Sequence, residues 1–432
     1  MPPTAKNVYL CDMRTDREPT ISIGIMSAPE IRVTFHGTYI IASPDGTPVS
    51  GERTFSTADT GIVCTPSDPH RCSFELHGVT IGVGFHWERH ENQRFRGVLA
   101  ILADDGKPGN AIAVNAIGLE EYLKSVISSE MSATASGALL RAHAVVSRSW
   151  LLRQLLDRGK HTCAEKGGWK RTLLPDGREV DELVKWYDRE DHTQFDVCAD
   201  DHCQRYQGIT RQTRPEVAQA VDDTRGETLT YHGEVCDARF SKCCGGISER
   251  FENCWEDDPK EYLTHVPDHD GGKVFCDTAD TSILDQVLND YDRENIDFFR
   301  WEVRYTAREL SELVRRRSGI DFGEVTALVP LQVTPAGHIV RLLVEGTHRC
   351  AIVGKELEIR RWLSESHLRS SVFNVERTAG GDFILKGRGW GHGVGMCQIG
   401  AAVMGAEGYG YHEILRHYFP NAEITRLYHT TD

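Results

Sequence analysis

"LEEYLKSVISSEMSATASGALLRAHAVVSRSWLLRQLLDRG", residues Leu119–Gly159, is where the chain changes its period. Apolar residues recur at helical spacing as far as Ile127, and the pattern breaks over Ser132–Ser136 among small residues. It resumes as a helix from about Gly137 to Leu156. Upstream the pattern is that of strands. "ISIGIM", "IRVTFHGTYII", "VTIGVGFHW" and "GVLAILADD" alternate apolar and polar residues and are separated by Gly and Asp-Gly turns. Downstream, residues 160–210 are polar with little periodicity and read as an inserted loop or small subdomain. Further on, "TARELSELVRRRSG" predicts a helix ended by Gly319, and "VTALVPLQVTPAGHIVRLLVEGT" a hairpin through Pro335-Ala336-Gly337. "YHEILRHYF" predicts a terminal helix. The expected class is α+β: a β-rich N-terminal region over 1–115, then a region over 116–432. The latter holds a central helical segment, an inserted loop over 160–210, and a mixed C-terminal part with a glycine-rich run.

At 432 residues the chain is long enough for a large core and two or three subdomains. Its 64 acidic and 49 basic residues give a formal charge of -15, which argues against a general nucleic-acid binder. No apolar stretch is long enough to span a membrane. The start, MPPTAKNVYLCDMRTDREPT, shows no apolar core of a signal peptide, so a trimmed export product and a cytosolic chain both fit. The cysteine count of 13 is odd, so at least one thiol is unpaired or on a metal.

Four stretches carry residues with chemical potential. In "VISSEM", Glu130 closes an apolar helical turn. An ordinary solvated glutamate has the same signature; what sets this one apart is Arg148, projecting from the apolar "AHAVVSRSW". A buried arginine usually holds an anion, and a carboxyl group near apolar walls can protonate a leaving oxygen. In "DHTQFDVCADDHCQRYQG", His192, Cys198 and Cys203 have the short spacing that zinc favours. Zinc is preferred over a Cys198–Cys203 disulfide because so polar a loop has little else to fix it. His202 adjoins Cys203, a poor geometry for sharing one ion, so the fourth ligand is expected to be a water, a substrate group or a distant residue. "ARFSKCCGGISERFENCW" offers Ser241, Lys242 and the Gly245-Gly246 pair, either as a cleft wall or as a strand ending in a tight turn. Last, "GRGWGHGVGMCQIGA" (Gly387–Ala401) places glycine at nearly every second position around His392. It has neither the acidic residue of a dinucleotide fingerprint nor the Lys-Ser/Thr pair of a Walker loop.

Taken in order, "EYLKSVISSEM", "ALLRAHAVVSRSW", "DVCADDHCQRYQG", "FSKCCGGISE" and "GRGWGHGVGMCQIGAAVMGAEGYGYHEILRHYF" resemble the stage II sporulation protein D family, the SpoIID/LytB domain. The likeness runs from about Glu120 to the C-terminus. It implies an extracytoplasmic protein acting on cell-wall glycan: a lytic transglycosylase preferring strands stripped of stem peptides or, for LytB-type relatives, an activator of a cell-wall amidase. It places the family's catalytic glutamate on Glu130, its essential arginine on Arg148 and its metal ligands on His192, Cys198 and Cys203. The substrate strand falls on Phe240–Lys242. This sequence has Phe240 where a cleft tyrosine is expected, and Cys397 where many members carry serine. The glycine run then serves to bring bare backbone against or beneath a sugar chain, with His392 either facing the cleft or buried as a structural residue.

The chemistry expected from these residues uses one carboxyl group. Most glycosidases use two, but the C6 hydroxyl of muramic acid is an internal nucleophile, so Glu130 would serve as acid and then as base. Arg148 is expected to hold substrate oxygens, since a direct ion pair with Glu130 would weaken the acid. The metal is expected to be structural zinc. A cysteine hydrolase built on Cys397 and His392 is disfavoured, because the run offers no third group to orient the base.

Overall fold

The computed structural model describes residues 17–42, 46–82, 88–132, 135–160, 163, 165–200, 202–211, 214–287 and 298–429. The start of the chain, part of "VTIGVGFHW" and part of the Ser132–Ser136 break lie outside the described residues. The α+β class is borne out, and the chain divides into two units of interleaved segments: residues 1–162, 189–230 and 424–432 in one, 163–188 and 231–423 in the other. The expected 115/116 boundary lies inside the first unit.

In the first unit, β1 (Thr20–Ala28), β2 (Glu30–Ile41), β3 (Thr47–Ser56), β4 (Val63–Pro66), β5 (Ser73–Ile81), β6 (Arg89–Phe95), β7 (Val98–Ala103) and β8 (Ala111–Gly118) build one sheet. Its order is β11-β1-β8-β7-β4-β2-β5-β6, with β3 paired to β2; β11 (Val197–Cys198) runs parallel to β1 at its edge. The alternation read from the sequence is the alternation of faces: Ile31, Val33 and Phe35 of β2 are buried while Glu30 and Arg32 are exposed. β8 runs directly into α1 (Leu119–Glu130), and α2 (Gly137–Leu156) follows with Ser136 capping its start through Leu139 N–H. From Leu139 to Leu155 nearly every α2 side chain is buried, the polar His143, Ser147, Arg148, Ser149 and Gln154 included.

The second unit shows why residues 160–210 lack a single character. β9 (Glu165–Leu173) and β10 (Glu179–Tyr187) form a hairpin, and β10 pairs in parallel with Cys350–Gly354. These strands belong to a sheet completed by Val325–Val333 and Ile339–Gly346, the predicted hairpin. Only residues beyond 188 return to the first unit, so the segment is half sheet and half loop. Leu183, Leu310, Val344 and Trp362 share the core beneath that sheet. The predicted helix forms as Ala307–Ser318, with a Thr306/Glu309 capping box and Gly319 in the left-handed region at its end.

Candidate functional site

Glu130 is the last residue of α1 and is half-buried. Its Oε1 accepts the Arg205 N–H at 3.0 Å. The segment that supplies this donor is tied to both helices. Tyr122 O–H donates to Gln204 Oε1 at 3.3 Å, Gln204 Nε2 donates to the Ser147 carbonyl at 3.3 Å, and Gln207 N–H donates to Ser125 Oγ at 3.1 Å. Tyr206 also stacks on Tyr122 with ring centroids 5.1 Å apart. The carboxyl group is thus positioned by α1 from one side and by residues 204–207 from the other.

Arg148 and its partner Glu120 have 0% exposed side chains. Arg148 Nε and Nη2 donate to the two Glu120 oxygens at 2.9 and 2.6 Å, and Nη1 donates to the Glu227 carbonyl at 3.0 Å. Glu120 Oε1 also accepts from Tyr428 O–H at 2.6 Å. Arg148 therefore holds an anion, as a buried arginine should, but the anion is Glu120. A guanidinium with no exposed surface holds no substrate oxygen, and that expectation is corrected. Glu120 was missed because it stands in "LEEYL" as an unremarkable acid in the first turn of a helix.

The expected metal ligands lie in the same unit as Glu130. Ligand atoms of His192, Cys198, His202 and Cys203 all lie within 4.8 Å of one another. Cys203 Sγ is 3.5 Å from His192 Nε2 and 3.4 Å from His202 Nδ1, and Cys198 Sγ is 3.9 Å from the latter. Tetrahedral zinc, with bonds of about 2.3 Å to sulfur and about 2.0 Å to nitrogen, separates its ligands by about 3.3–3.8 Å, so the set fits such an ion. The thiols are not joined as a disulfide. His202 belongs to the set, contrary to the expectation from its adjacency to Cys203. Cys203 N–H bonds to the Asp200 carbonyl at 3.0 Å, and the tight turn this closes brings neighbouring side chains to a common centre. Burial raises the Cys203 thiol, but the Cys198 hydrogen bond and the Arg189 charge outweigh it and hold the group at about 7. Cys198 is pushed up to about 11, first by its hydrogen bond with Cys203 and then by burial.

Phe240, Ser241, Lys242, Gly245, Gly246 and His392 belong to the second unit. There the structure joins two motifs far apart in sequence. Phe240–Ser241 pairs in parallel with Met396–Cys397, Cys243 bridges Trp390, and Glu249 bridges Val394. The glycine run therefore lies along the "FSKCCGGISE" segment. At Gly395 (φ +74°) a Cβ would sit 2.1 Å from the Arg239 carbonyl oxygen, and at Gly393 (φ +73°) 2.9 Å from His338 Nε2, so neither position admits a side chain. His392 packs edge-on to Trp255 and its Nδ1 accepts the Val394 N–H at 3.0 Å. Burial, then the charges of Arg239, Arg360 and His338, drive its pKa down to about 3, so it is neutral. Gly245 and Gly246, both at positive φ, line a groove of about 1170 Å³ with Val274, Phe299, Trp301 and Arg388. Lys242 Nζ donates to the Val287 carbonyl at 2.7 Å, and Ser241 is buried.

Residues 107–231 match the family model described as stage II sporulation protein, and residues 249–395 match a domain of unknown function (DUF8618). The chain is similar to stage II sporulation protein D of Bacillus amyloliquefaciens, 26% identical over 314 residues, or 72% of this chain and 76% of that protein. With the Bacillus subtilis (strain 168) protein of the same name it is 24% identical over the same shares. An amidase enhancer of Bacillus subtilis (strain 168) is 23% identical over 230 residues, 48% of this chain and 32% of its own length. The chain is thus similar to stage II sporulation protein D proteins over most of its length, and the match to the family model lies in residues 107–231.

Proposed function

We propose that this protein acts outside the cytoplasm as a lytic transglycosylase of peptidoglycan, cutting the bond between N-acetylmuramic acid and N-acetylglucosamine. Glu130 protonates the glycosidic oxygen as the bond breaks. The C6 hydroxyl of the same muramic acid then attacks the anomeric carbon and gives its proton to Glu130, which leaves a 1,6-anhydro ring. The observation that carries the reading is the placement of Glu130: half-exposed at the end of α1, with one oxygen held by Arg205 N–H. Arg148 has a positioning role, fixing α1 through Glu120. The reading assigns the ion of His192, Cys198, His202 and Cys203 as zinc, whose contribution there is to hold the loop; both proton transfers run through Glu130. Four protein ligands leave no open position, which favours a structural ion. For the glycan contacts expected of Gly245 and Gly246, the second unit offers the groove that these two glycines line.

The test is product analysis by mass spectrometry on purified, peptide-free glycan. The expected products carry 1,6-anhydromuramoyl ends, and Glu130→Gln is expected to lose activity by about 10²–10⁴-fold or more while remaining folded. Mainly reducing ends would make the protein a hydrolase. The amidase-enhancer relative supports a second reading, a glycan-binding activator of a cell-wall amidase. On that reading Glu130→Gln would stimulate an added amidase as well as the wild type does.

A further inference from the structure

A second cluster of metal-ligating side chains lies in the other unit, where the glycine run meets the Phe240–Glu249 segment. We propose that Cys244, Asp268, Cys276 and Cys397 form a buried zinc site.

Their ligand atoms lie within 4.8 Å of one another, and none of the side chains is more than 1% exposed. Cys244 and Cys276 have their sulfurs 3.8 Å apart. That is far beyond the ~2.05 Å of a disulfide and close to the ~3.8 Å between two thiolates on one tetrahedral zinc. Cys397 stands at the N-cap of the helix Gln398–Ala406, and its sulfur accepts N–H groups from Gly400 at 3.4 Å and Cys244 at 3.3 Å. Backbone donors at a helix N-terminus favour the thiolate, the form that binds metal. Asp268 is the second, independent sign. It is fully buried, and among the described residues no lysine, arginine or histidine forms an ion pair with it. Its two oxygens instead accept from Tyr418 O–H at 2.5 Å and Cys276 N–H at 2.8 Å, which orient the carboxyl group without supplying a cation. A buried charge is normally paired or on a metal.

The surroundings keep the space open. A Cβ at Gly400 would lie 2.4 Å from Asp268 Oδ1 and 2.2 Å from the Tyr418 hydroxyl. Residues 255–280 contain no helix or strand beyond a bridge at Pro267, so an ion there would add order that regular secondary structure does not supply. Three sulfurs and one oxygen suit zinc better than a hard cation such as magnesium or calcium. Because no ligand reaches solvent, the ion would enter during folding and leave only on unfolding, whereas the loop ion, with His202 exposed, exchanges readily.

The test is the zinc content of the full chain, purified without chelator and measured by native mass spectrometry. The wild type is expected to hold two zinc ions, one removed quickly by chelator and one retained until denaturant is added. The loop variant Cys198→Ser is expected to keep the retained ion, and adding Cys276→Ser to it to remove that ion. In case the second change prevents folding, cobalt(II) loaded into the loop variant alone should give the thiolate charge-transfer and tetrahedral d–d bands of a sulfur-rich site. A loop variant without metal and without these bands overturns the proposal. So does a disulfide among Cys244, Cys276 and Cys397 in the intact mass of unreduced protein.

Discussion

Arg148 and Glu120 show how a single residue can be legible in kind and illegible in role. An arginine amid apolar α2 residues had to be buried, and a buried arginine had to hold an anion; the sequence offered no means of choosing Glu120 over a substrate. Removing one partner of a buried pair leaves the other charged and unsolvated, so Arg148→Met is expected to destabilise the protein by about 3–5 kcal/mol. Denaturant titration measures this, and Arg148→Met/Glu120→Leu is expected to recover part of the loss. The activity remaining per folded molecule separates positioning from catalysis: it is expected to stay well above that of Glu130→Gln. Equal collapse in both variants would return Arg148 to the reacting centre.

Among the elements, α2 was the easiest to read and the Cys/His loop the hardest to complete. α2 has apolar residues at helical spacing along its length and Ser136 as its cap, so local chemistry and burial agree. The loop showed its ligands by residue type, but His202 joined them only through the turn closed by Cys203 N–H and Asp200. That loop leads within two residues to the N–H that holds Glu130. If the loop holds the proposed ion, its removal with chelator is therefore expected to lower the melting temperature and the activity in parallel. Loss of activity at an unchanged melting temperature would place the ion at the reacting centre.

At the scale of the whole molecule, each unit is made of segments distant in sequence, and acid sensitivity is expected to concentrate in the second. His338 is 1% exposed, with Nδ1 3.1 Å from Ser371 Oγ and, among the described residues, no hydrogen-bond partner for Nε2. Burial, then the charges of Arg360, Arg388 and His265, lower its pKa to about 3, and His392 is lowered to a similar value. Both folded values lie below the ordinary ~6.5 of histidine, so between the two the unfolded chain binds more protons. Stability is then expected to fall as pH drops from about 6.5 toward 4. Melting temperatures over that range measure the slope, and His338→Gln should flatten it; an unchanged slope would show that His338 does not remain neutral in the fold. The amino-acid sequence by itself determined the α+β class, the strand-to-helix change at Leu119, the helix ends at Ser136 and Gly319, and the residue types of the metal loop. Each of these depends on neighbours a few positions apart. The tertiary structure alone decided that β9 and β10 join a sheet with Cys350–Gly354, that Glu120 takes Arg148, that the glycine run lies along Phe240–Glu249, and that Cys244, Asp268, Cys276 and Cys397 converge. Those pairings span from tens to more than a hundred residues, where local periodicity carries no information about which partner a buried group will meet.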